Sequence, residues 1–266
     1  MKQITIGARG SNISLAYAAK VKRLILMSET SLSSDDIEIQ SIKTSGDIFH
    51  DKKLSEIGGK NLFCKEIEES LITKKIDIAV HSLKDMAAVE IASLNIAAYI
   101  ARNDFRDAFI SFKHSNVKKL KDGLYDGIVL ALAGIKTLKL EENVKHIFTT
   151  EEMLPAVGQG IIAAQCRKDD TNIIKILKKI NNEETKQCAI AERSLLKTLG
   201  GDCDTAVGGL AVIENNELIL SAQLFSDNGD QDFVYKAKGK RENGASIGML
   251  AGTELLKKAG NTFKKK

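Results

Sequence analysis

Four polar side chains follow an apolar run in the stretch IDIAVHSLKDM, residues 76–86. The run of Ile, Ala and Val is typical of a buried strand, and it is followed by His81, Ser82, Lys84 and Asp85. These side chains can accept, donate or transfer protons. Because ligands bind outside the carboxyl ends of the strands in open α/β sheets, we expect them to line a cleft.

Each of these residues also has a structural interpretation. Asp85 and Lys84 could form an ion pair in an exposed loop, and such pairs contribute little free energy. His81 at this position is more typical of a structural hydrogen-bonding residue than of a base. The sequence alone leaves the structural and the catalytic interpretation of Asp85 open.

Three further segments contain candidate site residues. The stretch GARGSN places Arg9 beside free amides at a predicted helix N-terminus, a generic anion site, although it lacks the spacing of a dinucleotide or phosphate-binding loop. Arg102 and Arg106 lie near a strand start, where surface ion pairs are the alternative. Cys203 lies in the glycine-rich segment LGGDCDTAVGG, and an exposed cysteine is uncommon unless its reactivity is used.

Strands and helices alternate in the N-terminal part of the chain. QITIG and IEIQSI are predicted strands, and Ser11 is predicted to cap the intervening helix, whose inner face includes Ile13 and Tyr17. A helix over residues 62–74 precedes the strand IDIAV. This alternation, with short connections, predicts a parallel α/β sheet.

The pattern changes from about residue 183. A helix ending in LLKTLGG is followed by three predicted strands, AVGGLAVI, ELILSAQLF and DFVYKAKG. A last helix carries Ile247, Leu250, Ala251 and Leu255 at helical spacing on one face. These elements together predict a separate small α+β unit.

Composition limits the classes of function. The chain has 266 residues, enough for two or three compact units with a hydrophobic core. Its net charge of +4 and its scattered lysines do not indicate a nucleic-acid-binding protein. The 4 cysteines show no metal-ligand spacing, and no apolar run approaches the ~20 residues that span a bilayer. We therefore expect a cytoplasmic protein with reduced thiols, no metal, and no membrane or nucleic-acid partner.

Stretches along nearly the whole chain resemble one known family. In chain order they are IGARGS, KTSGD, EIGGKNLFCKEIEESL, DIAVHSLKDM, RNDFRDAFIS, YDGIVLALAGIKTL, LPAVGQGIIAAQCR and AERSLLKTLGGDC. These stretches are similar to those of the hydroxymethylbilane synthase family, also called the porphobilinogen deaminase family.

The resemblance implies an activity, a cofactor and site residues. The family is a group of transferases of porphyrin and heme biosynthesis, which join four porphobilinogen molecules into the linear tetrapyrrole hydroxymethylbilane. A dipyrromethane cofactor is attached to the loop cysteine, which here is Cys203, and the catalytic aspartate corresponds to Asp85. The residues matched to carboxylate-binding positions are Arg9, Ser11, Lys60, Ser82, Lys84, Arg102 and Arg106.

The resemblance also implies a domain organisation. The expected fold is α/β, with two periplasmic-binding-protein-like lobes, the second of them truncated, and a small C-terminal α+β domain. Residues 1–101 and 157–180 form the first lobe with the catalytic cleft. Residues 102–156 form the second lobe, and residues 183–266 form the third domain with the cysteine loop. A monomer is expected.

One departure from the family pattern affects the expected function. An arginine-rich segment that provides guanidinium groups for the cofactor's carboxylates is missing after Asn116. Lysine replaces such arginines poorly, because it lacks their bidentate fork. Two hypotheses follow: a working synthase, or a catalytically impaired homologue that binds small carboxylates or pyrroles. Retention of Cys203 and Asp85 favours the enzyme.

Overall fold

Five strands form the largest sheet of the computed structural model, which describes residues 3–48, 62–111, 126–201 and 205–263. The strands are β1 (Ile4–Arg9), β2 (Ile37–Ile42), β3 (Ile78–Ser82), β4 (Leu94–Tyr99) and β8 (Ile162–Arg167). Their order across the sheet is β2-β1-β3-β8-β4. β1 is parallel to β2 and to β3, whereas β8 is antiparallel to both β3 and β4.

The antiparallel strand β8 shows that the prediction of a parallel sheet was wrong in part. The chain leaves the sheet after Tyr99, and it returns at Ile162, which pairs with Ser82. The chain leaves β4 and enters β8 at the same end of the sheet, the end at which β3 also finishes. Strand β8 must therefore run in the direction opposite to β3 and β4. This return also brings residues 156–161 beside the carboxyl end of β3, where Leu83 N donates to Ile161 O.

Helices cover both faces of this sheet. The helices of the described residues are α1 (Asn12–Ser28), α2 (Ser45–Ile48), α3 (Lys65–Ile72), α4 (Leu132–Thr137), α5 (Thr171–Lys178), α6 (Glu183–Leu199) and α7 (Gly244–Ala259). α1 and α5 share a core with Ile78 and Val80 of β3, and α3 packs against Ala79 on the opposite face. Side chains alternate between the faces of a strand, so β3 is buried on both sides.

Short 3₁₀ turns connect several of these elements. They are Ser34–Asp36, Leu83–Asp85, Glu141–Asn143, Arg241–Asn243 and Gly260–Thr262. The turn Leu83–Asp85 directly continues β3, so it lies at the carboxyl end of a central strand. This is the position at which the sequence predicted a cleft.

A second, smaller sheet follows β4 in the chain. It consists of β5 (Asp107–Ile110), β6 (Ile128–Ala131) and β7 (Val144–Ile147), with the order β6-β5-β7 and antiparallel pairing. Its core contains Ala108, Ile110, Leu132 and Ile135. Several large apolar side chains of this region are exposed, including Val129 at 44%. The core of this sheet is therefore small.

The C-terminal strands form a meander covered by two helices. The strands are β9 (Val207–Glu214), β10 (Glu217–Phe225) and β11 (Asp232–Lys240), in the order β11-β10-β9. α6 and α7 bury Leu195, Ile247, Ala251 and Leu255 against this sheet. Leu250, which was predicted on the same face, is 47% exposed, because the helical repeat places it outside the arc that contains Ile247, Ala251, Leu255 and the glycines that contact α6.

The α/β class with a C-terminal α+β unit is confirmed. The three sheets lie in the ranges 4–99 with 162–167, 107–147 and 207–240. The finer division into domains at residues 101, 156 and 183 stays a prediction. Of the described helices, none is both long enough and apolar enough to cross a membrane.

The helices α6 and α7 approach each other closely at three glycines of α7. A Cβ atom at Gly248 would overlap the carbonyl oxygen of Ala191 and would lie 2.8 Å from Leu195 N. Gly244 and Gly252, one turn away on either side, leave a Cβ atom similarly little room. The absence of side chains at these positions therefore sets the distance between the two helices.

We expect Gly248→Ala to destabilise the protein by about 1–3 kcal/mol, because overpacking outweighs the better helix propensity of alanine. Unfolding in urea, followed by circular dichroism, measures the change. Met249→Ala, at a neighbouring residue that is 56% exposed, is the control and should change stability by no more than about 0.5 kcal/mol. A more stable Gly248→Ala variant would contradict the role of this contact.

Candidate active site

A cavity of about 230 Å³ lies at the carboxyl ends of β1 and β3. Its volume is below the roughly 300–1,000 Å³ typical of pockets for drug-sized ligands, so it suits a small molecule or one part of a larger one. The predicted site residues that line it are Arg9, Ser11, Ser82, Lys84 and Asp85. The structure thus brings together residues from two segments of the sequence, 9–11 and 82–85.

The opposite wall of the cavity is apolar. It is formed by residues of the second sheet and of the segment between β6 and β7, which contains α4; among them are Ile110, Leu130, Leu138 and Leu140. One side therefore offers charges and hydroxyl groups, and the other offers aliphatic surface. Such a cavity suits a flat or apolar ring that carries anionic substituents.

The Arg9 guanidinium is held at the end of β1 by two contacts. Its Nε atom donates to Asp47 Oδ1 at 2.7 Å, and its Cζ atom lies 4.2 Å from the centre of the Phe63 ring. Burial acts against ionisation of Asp47, but hydrogen bonds from Arg9 and Thr44 hold the pKa of Asp47 below its usual value. The charge of Arg9 is therefore fixed in position at the rim of the cavity.

Ser11 caps helix α1, as predicted from the sequence. Its Oγ accepts from Ser14 N at 3.3 Å, which satisfies one of the amides at the helix start. Its hydroxyl lies in the cavity wall, next to the positive end of the α1 dipole. The end of β1 and the start of α1 together form an anion-binding wall.

Lys84 is oriented by a residue that the sequence analysis did not identify as part of the site. Its Nζ donates to Gln159 Oε1 at 3.1 Å, and Gln159 Nε2 donates to Phe105 O at 2.9 Å. Gln159 is buried and lines the cavity. The signal for Gln159 in the sequence was its position between two glycines in LPAVGQG. A polar residue in a turn that packs on a strand end must find hydrogen-bond partners.

Two glycines let this turn approach the carboxyl end of β3. Gly158 has φ of 78° and Gly160 has φ of 82°, in the left-handed region that side chains rarely adopt. A Cβ atom at Gly158 would lie 3.1 Å from Lys84 N. The backbone of the turn therefore packs directly against the 3₁₀ turn that carries Lys84 and Asp85.

Asp85 is a partly buried carboxyl group in the cavity wall. Burial raises the pKa of the Asp85 carboxyl above its ordinary value, and the charges of Lys84 and Arg9 act in the opposite direction. Among the ion pairs of the described residues none joins Lys84 to Asp85, so a simple loop ion pair does not account for their positions. Such a carboxyl group is suited to taking up and returning a proton.

His81 lies on the opposite side of β3 and is buried away from the cavity. Burial lowers the pKa of His81 to about 4, while a hydrogen bond with Gln165 acts in the opposite direction. The imidazole is therefore neutral at physiological pH. The prediction that His81 lines the cleft with Ser82, Lys84 and Asp85 is therefore wrong, because alternation along β3 turns its side chain into the interior, in agreement with its structural interpretation.

Arg102 and Arg106 are not among the residues that line this cavity. Arg102 Nη1 lies 2.5 Å from Glu192 Oε1, and its Nε donates to Gln159 O at 3.0 Å. Arg106 Nη2 donates to Asp104 Oδ2 at 2.9 Å. Their assignment to carboxylate binding stays a prediction. The assignment of Lys60 to carboxylate binding and that of Cys203 to cofactor attachment also stay predictions, because both residues lie outside the described residues.

Glu192 is a fully buried carboxylate that the sequence analysis missed. It accepts hydrogen bonds from Gly158 N at 2.6 Å and from Ala211 N at 2.8 Å, in addition to its ion pair with Arg102. It therefore joins the turn beside Lys84 to strand β9 and to the segment after β4. No periodicity in the sequence distinguishes this residue from the exposed glutamates of α6.

The fold and the cavity define a mixed α/β protein whose site suits a small anionic ring compound. In the described part of the chain, no group of three or more His, Cys, Asp or Glu side chains could hold a metal ion.

Two family models match most of the chain. Residues 4–124 and 114–175 match the model of the porphobilinogen deaminase dipyrromethane cofactor-binding domain, and residues 186–257 match that of the porphobilinogen deaminase C-terminal domain. The chain therefore belongs to the porphobilinogen deaminase family and carries its dipyrromethane-binding domain. The two stretches matched by the first model overlap at residues 114–124, which includes the position at which the sequence analysis expects an arginine-rich segment to be missing.

Curated relatives support the same assignment. The porphobilinogen deaminase of Nitrobacter hamburgensis is 34% identical over 299 residues, which cover 97% of this chain and 94% of that protein. That of Ehrlichia chaffeensis is 38% identical over 271 residues, covering 87% of this chain and 90% of that protein. The alignment of 299 residues is longer than the 266 residues of this chain, so the Nitrobacter protein has residues without a counterpart here.

Two solved structures with distant similarity are periplasmic binding proteins. One, from Salmonella typhimurium, has high arginine specificity, is 11% identical, covers 70% of this chain and 94% of its own, and gives a TM-score of 0.37. The other, a TRAP solute-binding protein from Chromohalobacter salexigens, is 10% identical with coverage of 70% and 75% and a TM-score of 0.37. Similarity at this level adds nothing to the assignment from sequence.

We expect Glu192→Ala to destabilise the protein by about 3–5 kcal/mol, since it leaves the buried charge of Arg102 and two amides without their acceptor. Urea unfolding measures this change. Glu183→Ala is the control, because Glu183 lies in the same helix with a side chain that is 55% exposed. If the two variants lose similar amounts of unfolding free energy, the hydrogen bonds and ion pair of Glu192 do not hold this region together.

Proposed function

We propose that this chain catalyses the stepwise condensation of four porphobilinogen molecules into hydroxymethylbilane, with release of ammonia at each step. The family assignment supports this activity. The observation that carries it is the cavity in which the Asp85 carboxyl lies in one wall with Arg9 and Lys84. Porphobilinogen has acetate and propionate groups that match the cations, and N–H groups that match a carboxylate acceptor.

The polar wall of the cavity fits the cofactor of the family. The dipyrromethane, when bound, supplies the pyrrole to which the first substrate unit is joined. The groups that would hold its carboxylates are those of Arg9, Ser11, Ser82 and Lys84. Its attachment through Cys203 is proposed from the match to the family's cysteine loop.

Asp85 is proposed as the catalytic residue. Loss of ammonia from the protonated aminomethyl group would leave the substrate as a cationic electrophile, and formation of the new carbon–carbon bond would leave a protonated ring. A carboxylate that is fixed in the cavity wall stabilises these positive charges and accepts the proton that the ring must lose. Burial of Asp85 raises its pKa, which increases its affinity for that proton.

For the three remaining site residues, Arg102, Arg106 and Lys60, the proposed role is also to bind carboxylates. The observations that support this role differ between them. Arg102 and Arg106 already contact the protein carboxylates of Glu192 and Asp104. These contacts support a role in positioning the loops around the cavity more than direct contact with the substrate. Lys60 is proposed only from its match to the family.

The alternative function is that of a catalytically impaired homologue which binds small carboxylates or pyrroles. A binding module needs neither the aspartate nor the loop cysteine, and this chain retains both. Together with family matches along nearly the whole chain, this retention favours the enzyme.

We also propose that the protein is a cytoplasmic monomer. Cys166 and Cys188 are buried as thiols, which agrees with a reducing compartment. Burial raises the pKa of Cys166 to about 12 and that of Cys188 to about 11, so both are poor nucleophiles. These two thiols are therefore unsuited to cofactor attachment.

The test of the proposed function is the intact mass of the purified protein. We expect the mass to exceed that of the sequence by two linked pyrrole units, and Cys203→Ser to abolish this increment. Cys188→Ser is the matched control, since its thiol is buried, and it should keep the increment. The bare sequence mass, or a modification mapped to Cys64, Cys166 or Cys188, would refute the assignment.

The same spectra, recorded after pulses of porphobilinogen, report how many units are added. Arg9 and Lys84 are the only cations among the described residues of the cavity wall, whereas every added unit brings two carboxylates. Each missing charge-assisted hydrogen bond removes roughly 1.5–3 kcal/mol. We therefore expect partly extended chains to accumulate. Rapid release of complete tetrapyrrole would show that the lysines of the chain compensate for the missing arginines.

We expect Asp85→Asn to lower the rate of porphobilinogen consumption by about 10²–10³-fold, as for the loss of one major electrostatic contact in a transition state. The substitution keeps the size of the side chain and removes only its charge. Asp47→Asn is unsuitable as a control because Asp47 holds Arg9, so exposed Asp230→Asn serves instead. Equal rates for Asp85→Asn and the unmodified chain would leave only the structural interpretation of Asp85.

A further inference from the structure

Two leucines in the apolar wall of the cavity keep much of their surface uncovered. Leu130 of β6 is 41% exposed, and Leu138, the residue directly after α4, is 37% exposed. Both line the cavity that contains Asp85. Ile110 and Ile135 of the same wall are buried in the core of the second sheet. The apolar surface that this wall offers to a ligand is therefore concentrated at the two leucines.

The pairing of β6 with β5 shows which face of the second sheet carries Leu130. Leu130 is paired with Ala108, which belongs to the small core of this sheet. Val129 is paired with Phe109 and lies on the opposite face, because successive side chains of a strand alternate between faces. Val129 is also exposed, but it is not among the described residues that line the cavity. The two neighbours therefore differ in whether they border the cavity.

The polar wall limits what can cover the leucines. Arg9, Ser11 and Lys84 line the same cavity of about 230 Å³. A purely apolar ligand would take the charges of Arg9 and Lys84 out of water without a partner, which costs free energy. A ligand whose anionic groups bind the polar wall places its remaining part against the apolar wall. The two walls together select a flat ring that carries carboxylate groups.

We propose that Leu130 and Leu138 are specificity-determining residues that bind the pyrrole ring of the substrate, while the polar wall binds its carboxylates. The inference rests on the proposed function, because the class of ligand, a pyrrole with carboxylate side chains, is taken from it. Neither leucine belongs to the set of residues matched to carboxylate binding. Their contribution is apolar contact with the ring, and no proton transfer involves them.

The test measures porphobilinogen binding to the full-length protein. The Kd is determined by calorimetry in an Asp85→Asn background, in which turnover is suppressed, and KM is determined with the active enzyme. Leu130→Asn keeps a side chain of similar shape but makes it polar. It should raise Kd and KM by about tenfold, the lower end of what one methylene group is worth in an apolar pocket. The kcat should change by no more than about twofold, because the contact is present in ground and transition states alike.

Three further variants separate ring binding from a general effect on the second sheet. Leu130→Met keeps an apolar side chain of similar volume, so its Kd should stay within about twofold of that of the unmodified chain. Leu138→Asn should weaken binding in the same direction as Leu130→Asn, and it carries the test if Leu130→Asn folds poorly. Val129→Asn is the matched control, since Val129 is an exposed neighbour in the same strand, and it should leave Kd and KM unchanged.

The outcomes distinguish this inference from the proposed function. If Kd and KM are unchanged in both leucine-to-asparagine variants while the unmodified chain adds pyrrole units, the inference is overturned and the function stands. Equal losses in Leu130→Asn and Val129→Asn, or an equal loss in Leu130→Met, would also overturn it, because apolar contact with a ring would not explain them. If the unmodified chain neither binds porphobilinogen nor gains mass, the function and the inference fail together.

Discussion

The buried ion pair between Glu192 and Arg102 holds together the parts of the chain that form the cleft. A carboxylate without solvent must have its charge balanced and its oxygens hydrogen-bonded, and Glu192 meets both needs with Arg102 and with the amides of Gly158 and Ala211. These partners come from the segment after β4, from the turn before β8 and from β9. The position of the C-terminal unit is thus linked to the turn that supports Lys84.

The consequences of this pair extend to the cavity. Gly158 N is held by Glu192, and the neighbouring Gln159 accepts from Lys84 while its own amide binds Phe105 O. The turn therefore positions the ammonium group next to Asp85 without using Asp85 as its partner. This leaves the aspartate carboxyl available to respond to the charge of a ligand, with its pKa raised by burial.

The two walls of the cavity place different demands on a ligand. The polar wall is built from strand ends and a helix start, where backbone geometry fixes the direction of each group. The apolar wall comes from a small sheet with exposed aliphatic side chains. Among the described residues that line the cavity, the apolar side chains that can pack against a ring are therefore numerous, whereas the cations are few.

Local patterns in the sequence determined the elements and the main chemical groups of this protein. The strand IEIQSI, the Ser11 cap and the C-terminal meander follow from alternation, capping and turn residues, which act over a few neighbouring positions. Polar residues directly after a buried strand likewise identified Ser82, Lys84 and Asp85 as cleft residues. Their number and types were sufficient to suggest anion and proton chemistry.

Only the tertiary structure decided how distant segments meet. The antiparallel direction of β8 depends on where the chain re-enters the sheet, and the buried face of α7 depends on glycine contacts with α6. The contacts of Glu192 and Gln159 are defined only once their partners, dozens of residues away, are in place. Arg102 illustrates the same limit, since its guanidinium binds a protein carboxylate that no local pattern places beside it. Burial and long-range pairing are properties of the folded chain, so the sequence could name the reactive groups but not the contacts that hold them.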